Sequence, residues 1–279
     1  MGFHNWDEVF QYPRDITVET LNTGYISGVK AGMVNIRTEM YRDQCSFKTA
    51  RLPVLAHLIA HSDTYHLVDT GFDSSFYQRA GGSFKGILRW PYFRNRYFQP
   101  YSWMGIEKQL EAKAVMLETI FLTHAHEHSV GLGAFDGAIP LVMGKGERDV
   151  SVFPLVYATH IKSRKNVRVL DFGAEGVIMP LLGRCIDLFG DGSFWAIDTH
   201  GHTKGHVSYL INGREKAVLL IGDVSITSLG FYIGVETGLY SENAIDTKTS
   251  FNKLKTFADH YPQIGLVFGH EIMGSFEIE

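Results

Sequence analysis

Five histidines and two carboxylates fall in four short segments, each closing an apolar run: Thr123-His124-Ala125-His126-Glu127-His128, Gly205-His206, Gly222-Asp223 and Gly269-His270. Imidazoles mixed with carboxylates are the ligand types that a borderline-soft divalent metal such as zinc takes. In the first segment, Ile120–Thr123 reads as a strand, and extended chain sends His124 and His126 to the same side. Glu127 and His128 then open a turn into Ser129–Phe135. In the other three segments a ligand type stands directly after a glycine, where the backbone can fold closely around an ion.

The elements that must position these residues read as two groups of strands. The first comprises Ile16–Leu21, Gly32–Thr38, Val54–His61, Tyr65–Asp69, Thr119–Thr123 and Ile139–Met143. The second comprises Val177–Leu182, Cys185–Phe189, Phe194–Thr199, Val207–Ile211, Lys216–Ile221 and Ile264–Phe268. Short β-branched and aromatic runs of this kind form sheets. Helical spacing occurs at Gly105–Leu117 and at Thr249–His260, where Phe251, Leu254, Phe257 and Ala258 recur every three to four residues. Strands interleaved with helices give a layered α/β protein. No linker divides the chain, so residues 1–279 read as a single domain.

The stretch 77–104 stands apart as an aromatic and basic insertion. Beside Tyr77 it holds Arg79, Lys85, Arg89, Arg94 and Arg96, no acid, and eight further aromatic residues. That composition suits a loop packed on its own domain, a single-stranded nucleic acid, a membrane surface, a subunit contact or a roof over an apolar substrate. A lid or homodimer contact is the preferred functional reading. The formal charge of −4 argues against a nucleic-acid or acidic-membrane partner.

Two cysteines, Cys45 and Cys185, are too few and too distant for a disulfide framework and read as reduced thiols. The first residues lack the basic start and apolar core of a secretory signal, and no apolar run approaches the ~20 residues of a membrane span. A cytoplasmic location is the expectation.

Taken together, Leu67-Val68-Asp69-Thr70-Gly71, Thr123–His128, Gly201–Leu210, Leu220–Asp223 and Gly269-His270 resemble the metallo-β-lactamase-fold hydrolase superfamily, in its order of motifs. The resemblance implies a four-layer αβ/βα sandwich with the active site along one edge of two packed sheets. It implies two divalent metal ions, zinc first, with Fe, Mn or Co as alternatives. His124, His126 and His206 would hold one ion. His128, His270 and the acid Glu127 would hold the other, with Asp223 bridging. Asp69 would orient ligands from outside the ligand set. His200 and His202 flank the third motif and are read as loop residues.

One departure bears on the second ion. The superfamily pattern is His-x-His-x-Asp-His, whereas this chain reads His124-Ala125-His126-Glu127-His128. One residue of extended chain spans ~3.3 Å, more than the extra methylene of Glu restores, and metal bonds tolerate only ~0.2 Å of error. A rebuilt two-metal site, a single-metal site and a site without catalytic metal all remain open at this point.

The chemistry expected of two ions is hydrolysis of a small-molecule ester or lactone by metal-activated water. Asp223 would serve as proton carrier and Glu127 as ligand or base. Within the superfamily the chain most resembles lactonase-like hydrolases related to acyl-homoserine lactonases. That branch carries a tyrosine three residues after the bridging aspartate; here Ile226 stands there, with Tyr232 and Tyr240 as replacements from the same stretch. Alternatives to this ester or lactone hydrolase (esterase or lactonase) are a mono-iron persulfide dioxygenase built on His124, His206 and Asp223, and a metal-binding member without turnover.

Overall fold

A computed structural model describes residues 2–35, 49–78, 82, 96–149, 159–162 and 164–272. Its strands up to the middle of the chain are β1 (Ile16–Val29), β2 (Thr49–His61), β3 (Thr64–Val68), β4 (Tyr97–Phe98), β5 (Leu117–Phe121), β6 (Leu141–Gly144) and β7 (Val167–Leu170). They form one sheet in the order β4-β1-β2-β3-β5-β6-β7. The later strands are β8 (Val177–Met179), β9 (Gly183–Asp187), β10 (Phe194–Asp198), β11 (Val207–Asn212), β12 (Ala217–Gly222) and β13 (Gly265–Phe268). They form a second sheet in the order β13-β12-β11-β10-β9-β8.

The inner faces of the sheets meet in one apolar cluster, in which Ile59, Val68, Phe121 and Val142 pack with Phe194, Ala196, Tyr209, Ile211 and Leu220. Strands β11 and β10 are apolar on both faces because both are covered. On the outer face of the first sheet lies the helix Ile106–Lys113, whose Ile106 and Leu110 pack on Leu58, Leu67 and Ile120. On the outer face of the second sheet lie the helices Trp6–Gln11 and Ala244–His260. There Trp6 meets Trp195 and Phe257 edge-on, with ring centroids 5.3 and 5.4 Å apart, a favoured aromatic geometry. The result is the four-layer sandwich expected from the sequence.

The helix Ala244–His260 begins before the predicted Thr249. Asn243 caps it by accepting from the Ile245 and Asp246 N–H groups, a contact that stabilises a helix start by ~1 kcal/mol. The predicted strand Gly32–Thr38 is not found in its described part: β1 runs on to Val29 and Lys30–Met33 makes a helical turn. Residues 36–48 lie outside the described residues. So do Arg79, Lys85, Arg89 and Arg94 of the aromatic and basic stretch, whose described end, Tyr97–Phe98, pairs with β1. Among the described residues no helix is long and apolar enough to cross a membrane.

Strand direction places the chemistry. Strand β3 runs parallel to β5 and β5 to β6, while β12 runs parallel to β13. Strand β10 is antiparallel to β11, and β11 to β12, so β10 shares the direction of β12. The carboxyl ends of β3, β5, β6, β10, β12 and β13, together with the amino end of β11, open on one edge of the sandwich. A backbone bond from Val207 N–H to Thr123 C=O, 2.8 Å long, ties the two sheets together there.

Candidate metal centre

Every ligand type singled out in the sequence sits at that edge, and all are buried except Glu127, which is partly exposed. Asp69 follows β3, His124 and His126 follow β5, and Glu127 and His128 begin a 3-10 helix, Glu127–Ala134. The loop from β10 to β11 carries His202 and His206, β12 delivers Asp223, and β13 delivers His270.

Asp223 lies at the centre. Its Oδ2 stands 3.7 Å from His124 Nε2, 3.4 Å from His202 Nε2 and 3.5 Å from His270 Nε2, and its Oδ1 stands 3.6 Å from His128 Nε2. A Cβ on Gly269 would fall 2.0 Å from Asp223 Oδ1, so only glycine lets the strand that carries His270 come this close. The ligand atoms of His124, His126 and His202 lie within 4.8 Å of one another, as do those of His124, His128 and Asp223.

The shortened motif is accommodated by the 3-10 turn. By turning at once after His126, the chain brings His128 Nε2 to 3.1 Å from His270 Nε2. Glu127 Oε1 lies 3.5 Å from the same His270 nitrogen. An acid and two imidazoles thus meet beside Asp223.

Ring orientations follow from the hydrogen bonds. The Thr123 hydroxyl donates to Asp69 Oδ2 at 2.7 Å and, with its proton so committed, accepts from His124 Nδ1 at 2.9 Å. His270 Nδ1 donates to the Pro53 carbonyl at 2.7 Å. Both rings therefore turn Nε2 inward, the arrangement that outer hydrogen bonds impose on metal-binding histidines. Asp69 itself is held in the left-handed region, φ 59°, a conformation rare enough in a non-glycine residue to mark a site under constraint. From there it also accepts from the Thr123 N–H at 2.8 Å, and its Oδ2 lies 3.7 Å from His128 Nδ1.

The electrostatics are those of a crowded, dry cluster. Burial pushes His124 well below the usual histidine range. Burial opposes charge on Asp223 and on Glu127 too, but His270 and its neighbours overcome it; Asp223 is held well below the carboxylate range and Glu127 falls to about 2. His270, for which burial favours the neutral ring, is raised to about 10 by Asp223 and Glu127. Burial lifts Asp69 to about 6, against His128 and Thr123. Among the described residues, the buried atoms His124 Nε2 and Asp223 Oδ1 have no hydrogen-bond partner. Lone pairs left facing one another in this way fit a divalent cation, the partner that satisfies them together.

Two placements were not foreseen. His202 is drawn into the cluster, its Nε2 3.1 Å from His126 Nδ1, whereas His206 Nε2 accepts the Asp223 backbone N–H at 3.0 Å. Glu147, just after β6, sends a buried carboxylate to the loops bearing the histidines. Its only sequence signal was an acid within six residues of a strand end.

A cavity of about 240 Å3 opens beside the cluster. His126, Glu127, His202, Asp223 and His270 form its floor, with Ile26, Leu52, Ile226 and Leu239 as an apolar wall and Arg96 and Tyr240 at its rim. Tyr232 lines a different depression, bordered by Lys216 and Phe268, and is 70% exposed. Of the two tyrosines in the stretch after Asp223, it is Tyr240 that lines the same cavity as the histidines.

Two sheets whose strand ends bring imidazoles and a shared carboxylate into one buried cluster define a metal-binding αβ/βα sandwich. The chain belongs to the metallo-beta-lactamase superfamily, whose profile matches residues 49–270, and it is a metal-dependent hydrolase of that family. It is similar to the N-acyl homoserine lactonase AttM of Agrobacterium fabrum strain C58, 26% identical over 231 residues that cover 79% of this chain and 82% of that protein. In fold it resembles an N-acyl homoserine lactone hydrolase with the product N-hexanoyl-L-homoserine at its catalytic metal centre. The TM-score is 0.71 at 19% identity, over 94% of this chain and 95% of that one. It also resembles AidC, a dizinc quorum-quenching lactonase, with a TM-score of 0.63 at 15% identity over 94% of this chain and 90% of that one.

Proposed function

We propose that this protein opens lactones, an N-acyl homoserine lactone being the leading substrate, and that it holds two divalent metal ions, zinc first. His124, His126 and His206 are assigned to one ion, Glu127, His128 and His270 to the other, and Asp223 to both. The observation that carries this reading is the meeting of His128 and His270 at the Asp223 carboxylate with Glu127 beside His270, since a second ion needs its own ligands despite the shortened motif. A mono-iron oxygenase would need only His124, His206 and Asp223, leaving that second set without a purpose.

Bound there, such ions supply a nucleophilic water at neutral pH and polarise the scissile carbonyl. The chain's own residues do the rest. Asp223, the residue assigned to both ions, is placed to take the proton of the attacking water and return it to the departing ring oxygen. Tyr240 accepts the Val29 N–H at 2.8 Å, so its own hydroxyl proton is available to the substrate carbonyl or leaving oxygen. Ile26, Leu52, Ile226 and Leu239 receive the acyl chain and exclude water from it.

The test is metal analysis of protein purified without added ions, paired with ring-opening followed as acid release. About two equivalents of metal are expected, with activity abolished by chelation and restored by zinc. Full activity after exhaustive chelation, or no turnover of acyl lactones by the fully loaded protein, would overturn the proposal.

A further inference from the structure

We infer that Glu147 is a positioning residue that fixes the two histidine-bearing loops against each other, and through them the first metal site. The inference rests on the ligand assignment above and extends it to a residue outside the motifs.

Glu147 begins the short 3-10 turn Glu147–Asp149 after β6 and is fully buried. Its Oε2 accepts the N–H of Ala125 at 2.6 Å, the residue between His124 and His126. Its Oε1 accepts the N–H of Gly205 at 2.9 Å, the residue before His206. The Thr203 hydroxyl, next to His202, donates to the same oxygen. One carboxylate thus spans a loop from the first sheet and a loop from the second, using both oxygens. The backbones approach closely here: a Cβ on Gly205 would stand 2.7 Å from the Lys145 carbonyl and 2.8 Å from that of Gly144.

The arrangement calls for a carboxylate in particular. Three donors converge from two sides and favour the ionised carboxylate, which accepts on both oxygens, against the burial that raises its pKa. Glutamine has the same shape but must present its NH2 to one set of donors, breaking one side of the bridge. The loops then keep their own folds but lose their mutual register, and metal bonds do not tolerate that loss.

The experiment compares wild-type protein, Glu147→Gln, Thr203→Val and His124→Ala, titrating zinc against a chromophoric chelator and recording the visible spectrum of the cobalt-loaded forms. Glu147→Gln is expected to weaken the first site by roughly 10–100-fold, the usual effect of removing support from around a metal site. It should also change the cobalt bands, while kcat recovers in excess metal. Thr203→Val should move affinity the same way by a smaller factor. A folded Glu147→Gln protein with wild-type zinc affinity and cobalt spectrum would overturn the inference. If that variant does not fold, unchanged affinity in Thr203→Val overturns it instead. His124→Ala separates the two readings: if it too leaves zinc binding untouched, the ligand assignment has failed, not the bridge alone.

Discussion

His206 Nε2 accepts the backbone N–H of Asp223 at 3.0 Å, while its Nδ1 meets the Thr199 hydroxyl at 2.9 Å. The second contact is the outer support that metal-binding histidines carry, whereas the first occupies the Nε2 lone pair, which ligation would have to free from the Asp223 N–H. His202 stands nearer the Asp223 carboxylate, but among the described residues its buried Nδ1 has no hydrogen-bond partner. His206→Ala is therefore expected to remove most activity and about one equivalent of metal, whereas His202→Ala keeps the metal count and binds more weakly. Metal-to-protein ratios of the two variants decide this, and the reverse ranking would transfer the ligand role to His202.

Glu127 and His270 form a pair, 3.5 Å apart, on the side assigned to the second ion. Glu127→Gln should lower occupancy of one site only and leave the first equivalent of metal bound as tightly as before. Equal loss at both sites would show that Glu127 serves the whole cluster.

Metal uptake should release protons. His270 is raised to about 10 in the metal-free cluster, and it shares a 3.1 Å contact with His128 that requires a proton between the two nitrogens. Imidazole ligates only when neutral, so calorimetry at pH 7 should give a binding heat that varies with the ionisation heat of the buffer. A buffer-independent heat would mean that these rings are already neutral.

The same protonation sets the pH response of metal-free protein. His270 is raised from 6.5 to about 10, so its contribution to stability is complete below pH 6.5 and is lost as pH climbs through about 10. Glu127 is lowered from 4.5 to about 2, so its contribution is present above pH 4.5 and is lost as pH falls through about 2. Denaturant unfolding of the chelated protein should show stability falling between pH 6.5 and 10 more steeply than in His270→Ala. Parallel profiles would exclude His270 as the source.

Tyr240 and Tyr232 provide a matched comparison within one stretch. Tyr240→Phe is expected to lower kcat/KM by roughly tenfold, the size of one lost hydrogen bond in the transition state, whereas Tyr232→Phe should not change it. Equal rates in the two variants would remove Tyr240 from the mechanism.

Much of the architecture could be read from residue order because local rules governed it. Apolar β-branched runs such as Val54–His61 and Val207–Ile211 form strands wherever both faces are covered, and Phe251, Leu254 and Phe257 recur at helical spacing on a helix whose other face meets solvent. Gly32–Met33 went the other way: they close the turn that follows a strand extending to Val29, and the position of that turn depends on β2 pairing alongside. The pair Tyr97–Phe98 likewise becomes a strand only because β1 offers an edge.

The chain's order alone determined which imidazoles and acids are available and which strand end delivers each, since a ligand directly after a buried strand has little freedom of direction. Only the tertiary structure decided how the missing residue after His126 is absorbed, that Tyr240 rather than Tyr232 lines the cavity beside the cluster, and that Glu147 joins the two loops. Each of these depends on distances between segments far apart in sequence, and such distances are set by how the two sheets pack, not by any local spacing.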